Sequence, residues 1–291
     1  MVYWIALLSS FTLLGATRYG RVSEELSELH KKSPHTTALF SLGMNDDETP
    51  LWAIRVSRTP KNVDPKKSAH LVVAALHGNE LRTADFAMHF LRDLVTRFSR
   101  PAVARTWLKD TEWYVIPVMN VPGYNSGERL EHGIDPNRDF PGLCLPHLQS
   151  QLKSTRLLVD FLGRRSYTGS VAVHGYAHAL TFPWGMPFPS TRTPDHYKFE
   201  KATRIAASVN DYPYGTTTDL VYPAENTFED FAYWKHGIWS LLLELKDGSP
   251  LDIAKSSDAL FSYFASLEDK PSHQNTFACN TLRSPPLDSV R

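Results

Sequence analysis

The run Leu71-Val72-Val73-Ala74-Ala75-Leu76 contains no polar residue and ends in His77-Gly78-Asn79-Glu80, after which a helical pattern begins at Leu81. An unbroken apolar run of this length reads as a strand covered on both faces, which belongs inside a parallel or mixed sheet and not on a solvated edge. A strand is therefore expected over 70–76 and a helix over about 80–98, with Leu81, Ala84, Ala87, Phe90, Leu91, Leu94 and Val95 along one side. Such a strand obliges the chain to supply helices for both of its faces. The turn between strand and helix carries an imidazole and a carboxylate three residues apart. Zinc accepts both, and a catalytic zinc keeps three protein ligands and leaves a position for water. Alone, the pair is no more than a common surface pattern; a third ligand is required.

The rest of the chain alternates in the same way. A helix is expected over 20–33, where Val22, Leu26 and Leu29 form a stripe, followed by strands over 37–43 and 51–57. A strand over 112–119 delivers Asn120, and a helix over 149–163 precedes a strand over 170–173. The series closes with a helix over 195–209, a strand over 238–245 and a helix over 251–267. This order predicts an α/β fold with a mixed, mostly parallel central sheet flanked by helices, with function expected where the strands end. With 291 residues, 42% of them hydrophobic, the chain can bury one substantial core, expected over 17–268. The segments 120–148, 175–194 and 211–236 read as irregular and long, the kind of loop that carries a site.

Composition excludes some partners. Basic and acidic residues number 31 each, so no global field favours nucleic acid or an anionic membrane surface. Residues 1–16 carry no charged side chain and end in Gly15-Ala16, which reads as a signal peptide. The stretch is shorter than the roughly 20 residues of a spanning helix, so no stable membrane span is expected. A secreted or secretory-lumen location follows, and a monomer is expected. Cys144 and Cys279 are the only cysteines, enough for one bridge and not for a disulfide scaffold. Residues 269–291 are polar and proline-containing and read as a loosely ordered tail.

His174 supplies the missing ligand. It stands at the end of Ser170-Val171-Ala172-Val173, the same kind of place as His77, and neighbouring strand ends in one sheet are close in space. Glu244 interrupts Leu241-Leu242-Leu243-Glu244-Leu245, which sets a carboxylate on an otherwise buried strand, where such groups are seldom found without a partner.

With these residues in place, the chain resembles the zinc carboxypeptidases of the carboxypeptidase A/B type, from about Tyr19 to Asp247. Five blocks coincide in order: His77-Gly78-Asn79-Glu80; Asn120-Val121-Pro122-Gly123; Asp135-Pro136-Asn137-Arg138-Asp139-Phe140; His174-Gly175-Tyr176 with Phe182-Pro183-Trp184-Gly185; and Tyr222 with Glu244-Leu245. The resemblance implies one zinc per chain held by His77, Glu80 and His174, with Asp135 orienting a ligating imidazole. It implies that Asn137 and Arg138 hold the C-terminal carboxylate of a peptide or protein substrate, that Tyr222 closes over it, and that Glu244 is the general base. Arg129 would polarise the scissile carbonyl. Asp139 departs from the family's more usual Asn, but it follows the clamp and does not form it.

Seven residues after Tyr222 the family sets the base of the pocket for the last substrate residue. Here that is Glu229, whose charge implies a preference for C-terminal Arg or Lys. Two other classes stay open. One is a zinc deacylase of the aspartoacylase or succinylglutamate desuccinylase type, against which Tyr222 and Pro183-Trp184-Gly185 speak. The other is an inactive peptide-binding homologue, which would have no chemical need for the three ligands and Glu244.

Overall fold

The computed structural model describes residues 17–64, 67–100, 110–143, 149–186, 192–267 and 271. The leader 1–16, Cys144, Cys279 and, apart from Pro271, the tail 269–291 lie outside the described residues. Eight strands form one sheet: β1 (Thr37–Met44), β2 (Pro50–Val56), β3 (Ser68–Ala74), β4 (Thr111–Ile116), β5 (Gly169–Gly175), β6 (Ala179–Phe182), β7 (Tyr214–Thr216) and β8 (Trp239–Leu245). Their spatial order is β1-β2-β4-β3-β5-β8-β6-β7. The central strands β4, β3, β5 and β8 are mutually parallel, while β1–β2, β2–β4 and β6–β8 pair antiparallel. This is a single mixed α/β domain. The chain leaves β3 for β4 on one side and returns to β5 on the other, so a crevice opens at the C-terminal ends of β3 and β5.

The helices are α1 (Arg18–Lys32), α2 (Leu81–Ser99), α3 (Val121–Ser126), α4 (Lys153–Gly163), α5 (His196–Asn210), α6 (Thr217–Leu220), α7 (Phe228–His236) and α8 (Pro250–Ala265). α8 packs against both α2 and α5, and α7 packs against α4, β5 and β8. In α2 the buried side chains Ala84, Ala87, Leu91, Leu94 and Phe98 recur every three or four residues, the stripe that faces the sheet. Among the described residues, no helix is long and apolar enough to cross a membrane.

Several boundaries differ from the sequence pattern for physical reasons. β3 stops at Ala74 because Ala75 turns to a positive φ of 50°, a conformation held by Asn120 N–H donating to its carbonyl and by its own N–H donating to Thr83 Oγ1. β4 stops at Ile116 because Pro117 has no N–H for the ladder. The segments read as irregular contain structure. β6 and β7 are too short to show a period. α7 hides its period because Phe228, Glu229, Asp230, Phe231, Ala232, Tyr233 and Trp234 are all buried. Its signals are the ends: Thr227 Oγ1 accepts from Asp230 N–H, and Gly237 takes φ 59° beyond the last turn.

At the N-terminal end of β4, away from the crevice, Glu112 is fully buried and accepts from Asp64 N–H at 3.2 Å, Tyr114 Oη at 3.1 Å and Arg165. Arg55 lies 3.9 Å from the same carboxylate. Removing one member of a buried ion cluster strands the others, at about 3–5 kcal/mol. Glu112→Gln is therefore expected to lose about that much stability in denaturant unfolding; a change within experimental error would show that the two guanidinium groups do not depend on it.

Candidate metal centre

Three donors meet at the C-terminal ends of β3 and β5. His77 Nδ1 is 2.7 Å from Glu80 Oε1, His174 Nδ1 is 3.0 Å from His77 Nδ1, and His174 Nδ1 is 3.2 Å from Glu80 Oε2. All three side chains are buried. Tetrahedral zinc with bonds of about 2.0–2.1 Å sets ligand edges of roughly 3.3 Å, so the donor types and spacing fit that ion. Glu80 also stands at the start of α2, where the positive end of the helix dipole favours an anion.

The electrostatics call for a cation. Burial alone would raise the Glu80 pKa, but His174 and His77 outweigh it and hold the carboxyl down to about 2. Burial alone would lower the His174 pKa, but Glu80, with Glu244 and Glu229 beyond it, pushes the imidazole up to about 9. Asp135 Oδ1 lies 3.0 Å from His77 Nε2, placed to accept from that nitrogen while Nδ1 faces the centre. The other Asp135 oxygen accepts from Arg129 at 3.1 Å, and Arg129 lies 3.5 Å from Glu80 Oε1.

The second half of the constellation lies on β8 and the loop before α4. In the parallel register of β5 and β8, His174 is directly opposite Glu244. Glu244 Oε2 accepts from Ala177 N–H at 3.2 Å, and burial raises its pKa against the opposing pull of His174. Asn137 Oδ1 accepts from Phe228 N–H at 2.8 Å, which turns its amide towards His174 Nε2 at 3.5 Å. Arg138 donates to Tyr222 Oη at 3.1 Å, and Tyr222 is half exposed at the rim. Glu229 is buried in the first turn of α7, close enough for its charge to act on His174, and its Oε1 has no hydrogen-bond partner.

A family model for zinc carboxypeptidases matches residues 22–259. The chain belongs to the zinc carboxypeptidase family. Its relatives include carboxypeptidase SOL1 of Arabidopsis thaliana, 22% identical over 242 residues that cover 78% of this chain and 49% of that protein. Human carboxypeptidase B is 24% identical over 252 residues, covering 74% of this chain and 59% of its own length. The chain spans between about half and two thirds of the length of the curated relatives that it matches first. Among solved structures, bovine thrombin-activatable fibrinolysis inhibitor in complex with tick carboxypeptidase inhibitor superposes with a TM-score of 0.68 at 20% identity, covering 85% of this chain and 93% of that one. Carboxypeptidase A from Helicoverpa armigera gives 0.70 at 16% identity, covering 86% and 71%. At such identities the structural likeness speaks for the fold alone.

Within this family member the block residues have legible local tasks. Asn120 caps α3 by accepting from Gly123 N–H, and its amide donates to the Arg129 carbonyl at 3.1 Å. Gly78 N–H donates to the same carbonyl, so the backbone of Arg129 is tied to both strand ends. Thr83 Oγ1 donates to the Glu80 carbonyl at 2.7 Å and braces the ligand turn.

The tasks of two carboxylates escaped the sequence reading. Asp139 accepts from Gln151 N–H at 2.7 Å and Leu152 N–H at 2.9 Å, anchoring the loop of Asn137 and Arg138 to the start of α4. An Asn there would oppose one of those donors with its own amide. Asp230 accepts from Gly185 N–H with both oxygens, at 3.0 and 3.1 Å. Neither partner is near in sequence, so no local pattern could announce them.

Gly78 is required by proximity. A Cβ there would sit 2.0 Å from the Gly123 carbonyl carbon and 2.3 Å from Tyr124 N. Because the obstacle is backbone, Gly78→Ala is expected to reach or exceed the upper end of the roughly 1–3 kcal/mol typical of overpacking. Thermal or denaturant unfolding measures it. Parental stability in this variant would mean that the two loops separate freely.

Proposed function

We propose that the chain is a zinc-dependent metallocarboxypeptidase that removes the last residue of peptides or proteins with a free C-terminal carboxylate. The observation that carries this reading is the convergence of three buried donors with Glu244 in register beside them. His77 and His174 hold the zinc through Nδ1 and Glu80 through its carboxylate, with Asp135 orienting His77. Bound zinc supplies a Lewis acid and lowers the pKa of a water ligand.

Glu244 takes the proton of the attacking water and passes it to the leaving amine. Its burial favours the proton-accepting step by raising the basicity of the carboxylate. Arg129, braced by Asp135 and Glu80, meets the charge that develops on the scissile carbonyl oxygen. Arg138 and Asn137 hold the substrate carboxylate, a task suited to the planar guanidinium fork, and Tyr222 covers it from the rim. The reading includes a secretory route, which rests on the uncharged segment 1–16.

The test is hydrolysis by purified chain, with and without chelator, of peptide pairs with free and amidated C-termini. Turnover is expected from free termini only and is expected to disappear with chelator. Glu244→Gln should keep its zinc and lose activity on the order of a hundredfold to ten-thousandfold. Equal rates on amidated peptides would indicate an endopeptidase or deacylase, and zinc binding without turnover in the parent an inactive peptide-binding homologue.

The preference proposed for this pocket is C-terminal Arg or Lys. Glu229 supports it: the carboxylate is only 2% exposed and Oε1 lacks a partner, while the adjacent Asp230 is occupied by Gly185. An incoming cation would complete a pairing that the chain leaves open. Truncating one side of a buried charged pair costs roughly 2–5 kcal/mol, so Glu229→Ile should lower kcat/KM on Arg-terminated peptides by about thirtyfold or more. It should raise kcat/KM on Phe-terminated ones. A parent that already prefers Phe, or an unchanged Arg-to-Phe ratio, removes Glu229 from the pocket.

A further inference from the structure

Between Arg129 and Asp135 the chain makes a tight hairpin. Glu131 and Ile134 exchange both backbone hydrogen bonds at 2.9 Å, and the turn residues His132 and Gly133 have φ 49° and 81°. Positive φ at both central positions is the geometry of a type I′ turn. The hairpin thereby sets the spacing of the two residues that brace the metal centre.

Beside it lies a second cluster of donors. One ligand atom each from Asp46, Glu131 and His132 fall within 4.8 Å of one another. Glu131 is the decisive member because it is 0% exposed. Its Oε2 accepts from Ser154 Oγ at 2.6 Å, but its Oε1 meets no donor. A buried carboxylate oxygen left bare is costly, and the ordinary remedies are a hydrogen bond, a proton or a metal ion. Burial raises the Glu131 pKa to about 7, with Ser154 opposing and Asp46, Asp47 and Asp139 adding to the rise.

The neighbours do not supply the missing charge. Asp46 Oδ2 accepts from Lys153 N–H at 3.1 Å, while the Lys153 ammonium is turned to the Asn45 carbonyl at 3.3 Å. Asp47 Oδ1 lies 3.2 Å from His132 Nε2 and adds a third carboxylate to the surroundings. An imidazole among carboxylates selects zinc or its first-row neighbours over calcium and magnesium, which prefer oxygen-only sets.

We infer that Asp46, Glu131 and His132 form a second metal site, which takes a divalent transition-metal ion of zinc's class and pins the hairpin between Arg129 and Asp135. Asp46 and His132 are exposed, so the ion can enter from solvent and keep water at its remaining positions. The site is distinct from the buried set of His77, Glu80 and His174, and its test does not depend on catalysis.

The experiment is zinc titration of the full chain, with bound metal measured after gel filtration and thermal unfolding followed in parallel. The parent should bind two equivalents. The weaker one should raise Tm by about 2–4 °C at roughly tenfold excess over its Kd. His132→Asn tolerates the left-handed turn and removes the imidazole; it should bind one equivalent and lose that rise in Tm. His174→Ala should do the reverse, losing the tighter equivalent and keeping the weaker one. A single equivalent in the parent, or two retained in His132→Asn, overturns the inference. An equal Tm rise from calcium in His132→Asn overturns it too, since the site would then use oxygen alone.

Discussion

Glu80 must remain charged in a place with almost no water, and much of the architecture around it follows from that requirement. Burying a carboxylate is tolerable only with close positive or donor groups. Here they come from two imidazoles on separate strand ends, from Arg129 at 3.5 Å and from Gly175 N–H at 3.2 Å. His77 is local to the same turn, but His174 and the Gly175 N–H reach Glu80 only because β3 and β5 are adjacent, parallel and in step. The register from His70 opposite Gly169 to Ala74 opposite Val173 supplies that condition. Slipping β5 by one residue would turn His174 to the other face. The site and the sheet are thus one electrostatic and geometric problem.

How much of this was legible in the sequence depends on the range of each cause. β3, α2 and β8 announce themselves because burial on both faces or along one stripe imposes a local pattern. Their chemistry-bearing residues stand at positions that the pattern itself marks, namely the ends of apolar runs. The block around Asn120 is legible as a motif, but its task is not. That Asn120 ties down the Arg129 carbonyl is a loop closure seen only in three dimensions.

Other features were hidden for the opposite reason. α7 is buried on nearly every side, so it lacks the alternation by which a helix shows itself, and the segment reads as loop despite a capped start and a glycine end. Asp139 looked like a passive neighbour of the clamp. Its two partners, Gln151 N–H and Leu152 N–H, belong to the start of a helix whose expected beginning at 149 moves to Lys153 because of this anchoring. A short-range pattern cannot reveal an interaction whose other half is supplied by a distant segment.

Most of the buried carboxylates are met by groups of the chain itself. Glu112 is met by two arginines, a tyrosine and a backbone N–H. Asp139 and Asp230 are met by backbone N–H groups. Asp252 accepts from Lys246, Asp247 and Gly248 N–H and so fixes the turn that leaves β8 just after Glu244. Each of these carboxylates fastens one segment to another, and the fold provides its counterpart. Glu131 and Glu229 are buried as deeply, yet each keeps an oxygen that no group among the described residues satisfies. Desolvation is no cheaper at those two positions, and under the proposed function and the inferred second site a cation from outside completes each of them: a metal ion at Glu131, which an imidazole flanks, and a substrate's cationic side chain at Glu229, in the first turn of α7.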